Sequence, residues 1–381
     1  MTLTLGIDAR LANAPQRAGV GNFCRGVLGA LPAVMGDTQL RLYLDAEPAA
    51  DLPARRHADI RVLPPGRFWT HRILARELRR DPPGVFWSPV LQLPLGVPCP
   101  LAATIYDLAV RRFPRQFTWR RRLIARIELR LAAWRAACLC AVSEASKADL
   151  RRYYRVPADC IWITRGGVDD RFHYPQPASA LTRVHAAHDL PEHFVLYVGR
   201  IQPRKNLVRL IDAFARVCEE HPALPHELII AGDAGWLDAP IYAHAKASSA
   251  RDRIRFLGFV ADGDLPPLMA AADVLALVSL WEGFGLPVVE AMACGTAVLT
   301  SNCSSLPEVA GDAAHLADPA DTAAIADGLA RLLTDGAYRH ALERRGTAQA
   351  ARFTWNAAAA HLMQAVRTAA EMNHKGAKAT K

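Results

Sequence analysis

The sequence lacks the apolar segments that anchor or export a protein. No run of about 18 apolar residues continues without a charge, so no transmembrane helix is expected. The opening residues MTLTLGIDAR do not have the basic-then-apolar order of a secretory signal. A chain that is 51% hydrophobic and 22% charged has the balance of a globular protein, and we expect it to act in the cytoplasm.

The sequence also lacks the spacings of common metal and nucleotide motifs. None of the eight cysteines is paired as C-x-x-C, so we predict no structural zinc site. We expect the cysteines to be small buried hydrophobes in a reducing compartment. The absence of G-x-x-x-x-G-K-[ST] excludes a P-loop nucleotide site.

Length and charge indicate two domains with different partners. The 381 residues are too many for one small core, and about 100 to 200 residues per domain predicts two domains. The net charge of +9 is uneven, because residues 1–180 carry +12 and residues 181–381 carry −3. The amino half is therefore expected to face an anion, which could be nucleic acid, a lipid headgroup surface or a phosphate-bearing substrate.

Short apolar runs alternate with helical patterns, which is typical of parallel α/β architecture. A polar, proline-bearing stretch interrupts the alternation and is interpreted as a linker. Because open α/β sheets bind ligands at the carboxyl ends of their strands, we expect a cleft between the domains. The predicted boundaries are an amino-terminal domain at 1–172, a linker at 173–190, a carboxyl-terminal domain at 191–352, a helix at 353–372 that packs back on the amino-terminal domain, and a disordered tail at 373–381.

Two cations follow the first predicted strand of the second domain. Arg200 and Lys205 lie between strand Phe194–Val198 and helix Leu207–Glu220. Basic side chains beside the positive end of a helix suit a diphosphate. A solvated basic loop has the same pattern, and the residues alone do not separate the two interpretations.

Two glutamates flank the start of a later predicted helix. Gly283 and Gly285 allow backbone N–H groups to approach a ligand, and Pro287 suits the first helical position. Glu282 then lies just before the helix and Glu290 one turn inside it. Each carboxylate can accept hydrogen bonds from sugar hydroxyls, although acids at a helix start are also stabilised by the helix dipole alone.

The two segments together resemble a known family. The G-R-x4-K-N of Gly199–Asn206 and the E-x7-E of Glu282–Glu290 resemble the signatures of glycosyltransferase family 4, and the resemblance is dense over 190–320. It implies the GT-B fold, in which two doubly wound Rossmann-like α/β domains face a central cleft. It also implies a retaining, metal-independent transfer of a sugar from a nucleotide-diphosphate donor. Intervening segments follow in the family's order, namely Ile230–Asp233, Ile254–Val274 and Ser304–Ala314.

The resemblance implies roles for individual residues. Arg200 and Lys205 would bind the donor diphosphate, Glu290 the ribose and Glu282 the transferred sugar, with Arg200, Lys205 and Glu282 acting in catalysis. Three residues would border the base, or else belong to ordinary packing: Phe259, Val260 and Leu265. Backbone contacts with the sugar and phosphates are implied for Gly283, Phe284, Gly285 and Leu286.

The amino half has a more particular likeness. Its opening, GIDARLANAPQRAGVGNFCRGVLGAL, resembles a branch of the family that includes bacterial O-antigen mannosyltransferases. The likeness implies that Gly19 and Gly21 approach the donor phosphate and the acceptor. A dinucleotide fingerprint is excluded, since Cys24 stands where the third glycine is required. Relatives carry His-Asp where this chain has Tyr106-Asp107, so only Asp107 is expected to act, as an acceptor-side or catalytic contact or as a strand-end cap.

No cofactor and no metal are expected. Asp262-Gly263-Asp264 has the D-x-D pattern that binds manganese in another transferase fold, but it precedes a predicted helix and is interpreted as an N-cap. The leaving diphosphate would depend instead on Arg200, Lys205 and a helix N-terminus.

One segment of the amino half is strongly basic. Residues 111–135 contain nine arginines and one acid, together with Trp119, Trp134 and two phenylalanines. The pattern predicts either an amphipathic helix on an anionic membrane or a surface helix with one buried stripe. Nucleic acid is not expected as a partner, because no recognised binding module accompanies the charge.

The resemblance therefore predicts a hexosyltransferase of bacterial polysaccharide or lipopolysaccharide biosynthesis. GDP-mannose is the expected donor, and the acceptor is expected to be a glycan or a lipid-linked oligosaccharide. A sugar-nucleotide epimerase or a pyridoxal-phosphate phosphorylase of the same fold is one alternative. A catalytically silent scaffold in a polysaccharide assembly complex is another.

Overall fold

The structure is a computed structural model that describes residues 2–15 and 19–379, with side chains described as far as Glu371. The chain divides into two compact units. The first comprises Met1–Gly167 with Thr354–Lys381, and the second comprises Val168–Phe353. Each unit contains one sheet with parallel strand pairing, which confirms the α/β, doubly wound fold class.

The first unit has a seven-stranded sheet in the order β3-β2-β1-β4-β5-β6-β7. Its strands are β1 Thr4–Asp8, β2 Gln39–Leu44, β3 Ala58–Val62, β4 Val85–Ser88, β5 Leu101–Ile105, β6 Cys138–Ala141 and β7 Ile161–Ile163. From β1 the chain adds β2 and β3 on one side of the sheet, and it then returns to add β4 to β7 on the other side of β1, with all strands parallel. The loops that follow β1 and β4 therefore diverge and leave a crevice at their carboxyl ends.

Helices cover this sheet. They are α1 Arg10–Asn13, α2 Gly19–Val34, α3 Ala75–Arg80 preceded by a π-helical turn at Thr70–Leu74, α4 Ala109–Arg112, α5 Trp119–Arg135 and α6 Glu144–Tyr154. Single 3-10 turns occur at Arg55–His57, Pro114–Gln116 and Ala158–Cys160. The last helix of the chain, Trp355–Ala379, packs on α2, where a Cβ at Gly26 would overlap the ring of Trp355.

The second unit has a six-stranded sheet in the order β10-β9-β8-β11-β12-β13. Its strands are β8 Phe194–Val198, β9 Glu227–Ala231, β10 Ile254–Gly258, β11 Val274–Leu277, β12 Ala297–Ser301 and β13 His315–Ala317. Here the order of strand addition changes side between β8 and β11, which are parallel neighbours. A second crevice therefore lies at the carboxyl ends of those two strands.

The helices of the second unit are α7 Ala178–His188, α8 Leu207–Glu220, α9 Ala239–Ala247, α10 Leu265–Ala271, α11 Leu286–Ala293, α12 Leu306–Ala310, α13 Thr322–Thr334 and α14 Gly336–Ala350, so Trp355–Ala379 is α15. Further 3-10 turns lie at Pro203–Lys205 and Arg251–Arg253. The β8 strand is buried along its whole length, as expected for a central parallel strand. In α8 the buried residues recur at helical spacing, so its apolar stripe faces the sheet.

The segment predicted as a linker differs from expectation. Within 173–190 the chain forms α7, which packs against α10 with Val184 fully buried. The α7 sequence has a weak apolar period and resembles a polar connection, which agrees with the burial of only one of its residues. Helix α15 continues to Ala379, into the predicted tail at 373–381, whose residues 380 and 381 lie outside the described residues.

The eight cysteines all lie within the described residues and differ in burial. Cys24, Cys99, Cys138, Cys140 and Cys294 are buried, whereas Cys160, Cys218 and Cys303 are partly exposed. None of the helices in the described part of the chain combines the length and the hydropathy that crossing a bilayer requires.

Candidate functional site

Three of the sequence-predicted donor residues, Arg200, Lys205 and Glu282, lie in the loops that follow β8 and β11. Backbone contacts hold the adjoining loops together. Gly199 N–H donates to the Ala231 carbonyl at 2.9 Å, and a Cβ at Gly232, whose φ is +150°, would overlap the Gly199 carbonyl. Glycine is required at this position because another residue would push the loops after β8 and β9 apart.

Glu282 lies at the centre of a buried ionic cluster. Its residue exposure is 6%, and its Oε1 accepts hydrogen bonds from Lys205 Nζ at 2.6 Å and from Ser279 Oγ at 2.7 Å. Its Oε2 accepts from Arg204 Nη1 at 3.1 Å. Burial opposes ionisation, but Lys205 and Arg204 outweigh it and lower the pKa of Glu282 from 4.5 to about 2. The carboxylate is therefore ionised at neutral pH.

Arg204 was not among the predicted site residues. It also donates to the carbonyl oxygen of Trp281, and its own carbonyl accepts from Leu280 N–H at 2.9 Å. Arg204 thus clamps the loop after β8 to the loop after β11. The sequence signal is the adjacency of Arg204 and Lys205, and the structure shows that both cations face a single buried acid.

Arg200 and Asn206 have different surroundings from Lys205. The Arg200 side chain is exposed and forms no ion pair with any residue that the structure describes, so it is available to an anion. Asn206 is buried in a left-handed conformation with φ of +62°. Its Nδ2 donates to the carbonyls of Val278 at 2.9 Å and Pro319 at 2.7 Å. The asparagine of the motif therefore fixes the start of α8.

Four backbone N–H groups at the start of α11 are open. Those of Gly283, Phe284, Gly285 and Leu286 donate to no acceptor in the described part of the chain. Gly285 has φ of +103°, and a Cβ there would lie 2.8 Å from Leu306 Cδ2. Open N–H groups at a helix N-terminus form an anion-binding arrangement. The helix begins at Leu286, so Pro287 occupies its second position rather than the predicted first.

The pKa of Glu290 is shifted in the opposite direction from that of Glu282. Glu290 is partly exposed and has neither a hydrogen bond nor an ion pair to its carboxylate from any described residue. Burial of most of the side chain raises its pKa from 4.5 to about 7; Arg171 opposes the rise, whereas Asp169 and Asp262 add to it. Glu290 therefore has unused hydrogen-bonding capacity.

The residues predicted to border the base follow β10 and differ in exposure. Phe259 is 53% exposed, whereas Val260 is buried and Leu265 is half-buried. Only the Phe259 ring therefore offers a broad surface for stacking. Asp264 does occupy the N-cap position of α10, but its carboxylate makes no capping hydrogen bond and instead meets Arg183 and His188 at 3.3 Å each.

A cavity of about 770 Å³ lies at the carboxyl edge of the first sheet. Its polar wall includes Asp8 and Arg10, which pair through contacts of 2.9 and 2.8 Å, and Arg10 stacks 3.9 Å over the Trp69 ring. The buried Tyr106 hydroxyl has no hydrogen-bond partner among the described residues. The remaining lining residues are Leu11, Asn13, Ala14, Pro15, Val20, Asp45, Ala46, Pro89, Val90, Leu91, Gln92, Arg121 and Glu128.

The amino-half residues predicted to act lie beside this cavity. Asp107 follows β5, and its Oδ1 accepts from Ala109 N–H at 2.9 Å, which gives the side chain a turn-forming role. Gly19 and Gly21 are in the first turn of α2 on either side of Val20, the residue of that turn that lines the cavity.

Helix α5 exposes an apolar stripe. Trp119, Leu123, Ile127 and Trp134 are 64%, 51%, 51% and 80% exposed. Their spacing of four, four and seven residues puts them on one face of the helix, which we name the α5 stripe. The helix buries Leu129 and Ala132 instead. Not all nine arginines of 111–135 are available to a partner, because Arg112 forms a bidentate pair with buried Asp149 at 2.8 and 2.6 Å.

Comparison with known proteins supports the family resemblance. The model for "Glycosyl transferases group 1" matches residues 181–349, which include both sequence motifs and the ionic cluster around Glu282. Over these residues the chain is similar to glycosyltransferase family 4. O-antigen chain mannosyltransferase B of Escherichia coli is 37% identical to this chain over 220 residues, or 58% of each protein.

Other relatives extend the comparison. Serotype-specific mannosyltransferase WbdA of Escherichia coli is 32% identical over 230 residues, which are 60% of this chain and 28% of WbdA. The chain thus spans 58% of the first relative's length and 28% of the second's. The structure of Anabaena Alr3699/HepE in complex with UDP and glucose has a TM-score of 0.73 at 21% identity and covers 96% and 99% of the two chains, which supports the GT-B fold.

Proposed function

We propose that this chain is a retaining, metal-independent glycosyltransferase that moves mannose from GDP-mannose to a glycan or lipid-linked oligosaccharide in bacterial polysaccharide biosynthesis. The observation that carries the proposal is a group of potential anion-binding residues at the carboxyl ends of β8 and β11. It consists of exposed Arg200, the ion-paired Lys205 and the open N–H groups at the start of α11. The two mannosyltransferase relatives support mannose, and the UDP bound to HepE marks the competing base.

In the proposed reaction, the donor diphosphate binds Arg200 and the N-terminus of α11. The C1–phosphate bond breaks, its electron pair passes to the diphosphate oxygen, and the cations offset the developing charge. The acceptor hydroxyl forms the new bond to C1 on the face that the diphosphate leaves, and its proton passes to the departing diphosphate. Because these fixed positive groups take the place of a divalent cation, the transfer step needs no metal ion.

Glu282 has two tasks in this proposal. Its charge holds Lys205 and Arg204 in place, and Oε2, which accepts from Arg204 alone among the described residues, retains capacity for a hydroxyl of the transferred sugar. Glu290 accepts from the ribose, and Phe259, Val260 and Leu265 border the base. The backbone from Gly283 to Leu286 contacts the sugar and phosphates.

The cavity of the first unit is the proposed acceptor site. Its Asp8, Arg10, Asn13, Asp45 and Gln92 supply donors and acceptors for sugar hydroxyls. We further propose that Asp107 contacts the acceptor through Oδ2, and that Gly19 and Gly21 allow the donor phosphate and acceptor to approach the start of α2.

The partner proposed for the α5 stripe is the anionic inner face of the plasma membrane. Two exposed tryptophans suit the interface between headgroups and acyl chains, and exposed Arg120, Arg126 and Arg130 offer charge to anionic lipids. The apolar stripe also continues toward the cavity, because Ile127 lines a smaller groove of about 200 Å³ that shares Gln92 and Glu128 with it. A lipid-linked acceptor would thus lie beside its own membrane anchor.

Vesicle sedimentation tests the membrane proposal. Trp119→Ser with Trp134→Ser should weaken binding to phosphatidylglycerol vesicles, and changing Arg120, Arg121 and Arg122 to Glu should remove the preference over phosphatidylcholine. Leu237→Ser is the matched control, since Leu237 is 56% exposed on the second unit. Equal binding by all of these proteins would eliminate α5 as the docking surface.

Thermal shifts with GDP-, UDP-, ADP- and dTDP-sugars test the donor proposal. A ligand at 100 times its Kd stabilises the folded state by about 2.7 kcal/mol, and we expect GDP-mannose to give the largest shift. Arg200→Ala should lose most of this shift, whereas Arg251→Ala, which removes another exposed arginine of the second unit, should keep it. A response to UDP-sugars alone would overturn GDP-mannose, and no response to any donor would favour a scaffold.

A further inference from the structure

Three side chains that bind transition metals well lie at the amino-terminal edge of the second sheet. His193, His226 and Asp273 each immediately precede a strand, namely β8, β9 and β11. These strands are neighbours in the order β9-β8-β11. Because Arg200 and Glu282 follow β8 and β11 at the carboxyl edge, the three side chains belong to a different site from the donor residues.

The two imidazoles lie close to the same carboxylate oxygen of Asp273. Asp273 Oδ2 is 3.1 Å from His193 Nδ1 and 3.4 Å from His226 Nε2. One nitrogen or oxygen from each residue lies within 4.8 Å of the others. Ligands bound to Zn²⁺ at about 2.0 to 2.1 Å in tetrahedral geometry are separated by about 3.4 Å, so the two close separations fit a shared metal ion.

His226 supplies the second observation. Its side chain is 6% exposed, yet neither ring nitrogen has a hydrogen bond of acceptable geometry with a described residue. Buried polar groups are normally hydrogen-bonded, so this imidazole has capacity for a partner that the protein does not supply. His193 is 45% exposed and gives that partner a route from solvent.

The backbone and one further side chain hold the group in place. Asp273 N–H donates to the Phe194 carbonyl at 3.1 Å, and Glu227 N–H donates to the His193 carbonyl at 3.2 Å. Arg339 Nη1 is 3.9 Å from Asp273 Oδ1, the oxygen that does not face the imidazoles. Arg339 thus lies near Oδ1 and leaves Oδ2 to the two imidazoles and a shared ligand.

We propose that His193 Nδ1, His226 Nε2 and Asp273 Oδ2 bind one divalent transition metal ion of the Zn²⁺ class. Two imidazoles and one carboxylate suit such an ion, and water would complete its coordination. The ion would join the amino ends of three adjacent strands and so stabilise the second unit, without taking part in sugar transfer. The sequence expectation of no metal site depended on short spacings, which residues brought together only by the sheet do not have.

Calorimetric titration with ZnCl₂ tests the proposal on tag-free full-length protein first stripped with EDTA. We expect one equivalent to bind with a Kd of micromolar or below, and Co²⁺ in its place to develop visible bands of imidazole coordination. His193→Gln should weaken Zn²⁺ binding at least tenfold. His57→Gln, at an exposed histidine of the first unit, should leave binding unchanged.

The variant is chosen so that failure to fold does not confuse the result. His193 is 45% exposed, and His193→Gln leaves buried His226 and half-buried Asp273 unchanged, so its Tm in EDTA should stay close to that of the unmodified chain. Added Zn²⁺ should raise the Tm of the unmodified chain and not that of His193→Gln. Absence of stoichiometric binding, or equal binding by both proteins, would overturn the site.

Discussion

Replacing Glu282 by glutamine should destabilise the second unit strongly. The change keeps the size of the side chain but removes the counter-charge of Lys205 and Arg204, whose side chains are only 11% and 12% exposed. The pKa of Glu282 is lowered from 4.5 to about 2, which corresponds to about 3 kcal/mol of preference for the ionised form in the folded state. We expect Glu282→Gln to lower the free energy of unfolding at pH 7 by about 3 kcal/mol, within the range for breaking a buried ion pair.

The pH dependence gives the sign of the effect. A carboxyl group whose pKa is lower in the folded than in the unfolded state stabilises the protein above its unfolded pKa. The difference between the unmodified chain and Glu282→Gln should therefore stay constant above pH 4.5 and shrink as the pH falls toward 2. Hydrogen exchange of β8 amides measures this free energy for the second unit without interference from the first.

Glu290→Gln is the matched control, since it makes the same chemical change in the adjoining helix. The pKa of Glu290 is raised to about 7, so its ionised form is disfavoured in the folded state. Glu290→Gln should leave stability unchanged at pH 4 and increase it progressively as the pH rises to 7 and above. A loss below 1 kcal/mol for Glu282→Gln, or destabilisation by both variants above pH 7, would refute the electrostatic description of this site.

Four further predictions concern activity and packing. Mannosyl transfer should survive excess EDTA, and activity that returns only with an added divalent ion would contradict the role given to Arg200 and Lys205. Glu290→Ala should mainly raise the KM for the donor, whereas Glu282→Ala should lower kcat as well, so identical steady-state kinetics for the two would remove their separate roles. Arg204→Met should release the loop that contains Trp281 and so lower kcat more than tenfold, whereas Arg204→Lys should retain part of the activity. Gly285→Ala should weaken GDP-mannose binding at least tenfold, because φ of +103° and Leu306 both oppose a Cβ; unchanged binding by calorimetry would show that the loop adapts.

The fold follows from local patterns wherever a strand is long and buried. The strand predicted at Phe194–Val198 has the predicted bounds, because it is a continuous apolar run between polar turns. Strand β13 is difficult to predict, because its three residues include His315 and carry too little pattern. Helix α7 was missed for the related reason that neighbouring elements, rather than its own period, hold it in place.

The sequence predicted which motif residues form the site, but it did not predict their ion pairs or pKa shifts. Motif spacing found Arg200, Lys205, Glu282 and Glu290, and their roles toward the donor remain predictions. Spacing could not reveal that Arg204 shares the Glu282 carboxylate, because that contact joins loops far apart in the chain. Nor could it indicate that the two glutamates have opposite pKa shifts, since the shifts depend on burial and on which cations lie near.

The most direct test of the central claim is the anomeric configuration of the product formed from GDP-α-D-mannose. An alkyl α-D-mannoside serves as a simple amphipathic acceptor, and the one-bond C1–H1 coupling of the new linkage distinguishes the two anomers by NMR. A retaining transfer should give a mannosylated product with the α configuration of the donor. A β-linked product, or release of GDP with no mannosylated product from this or longer mannoside acceptors, would contradict it.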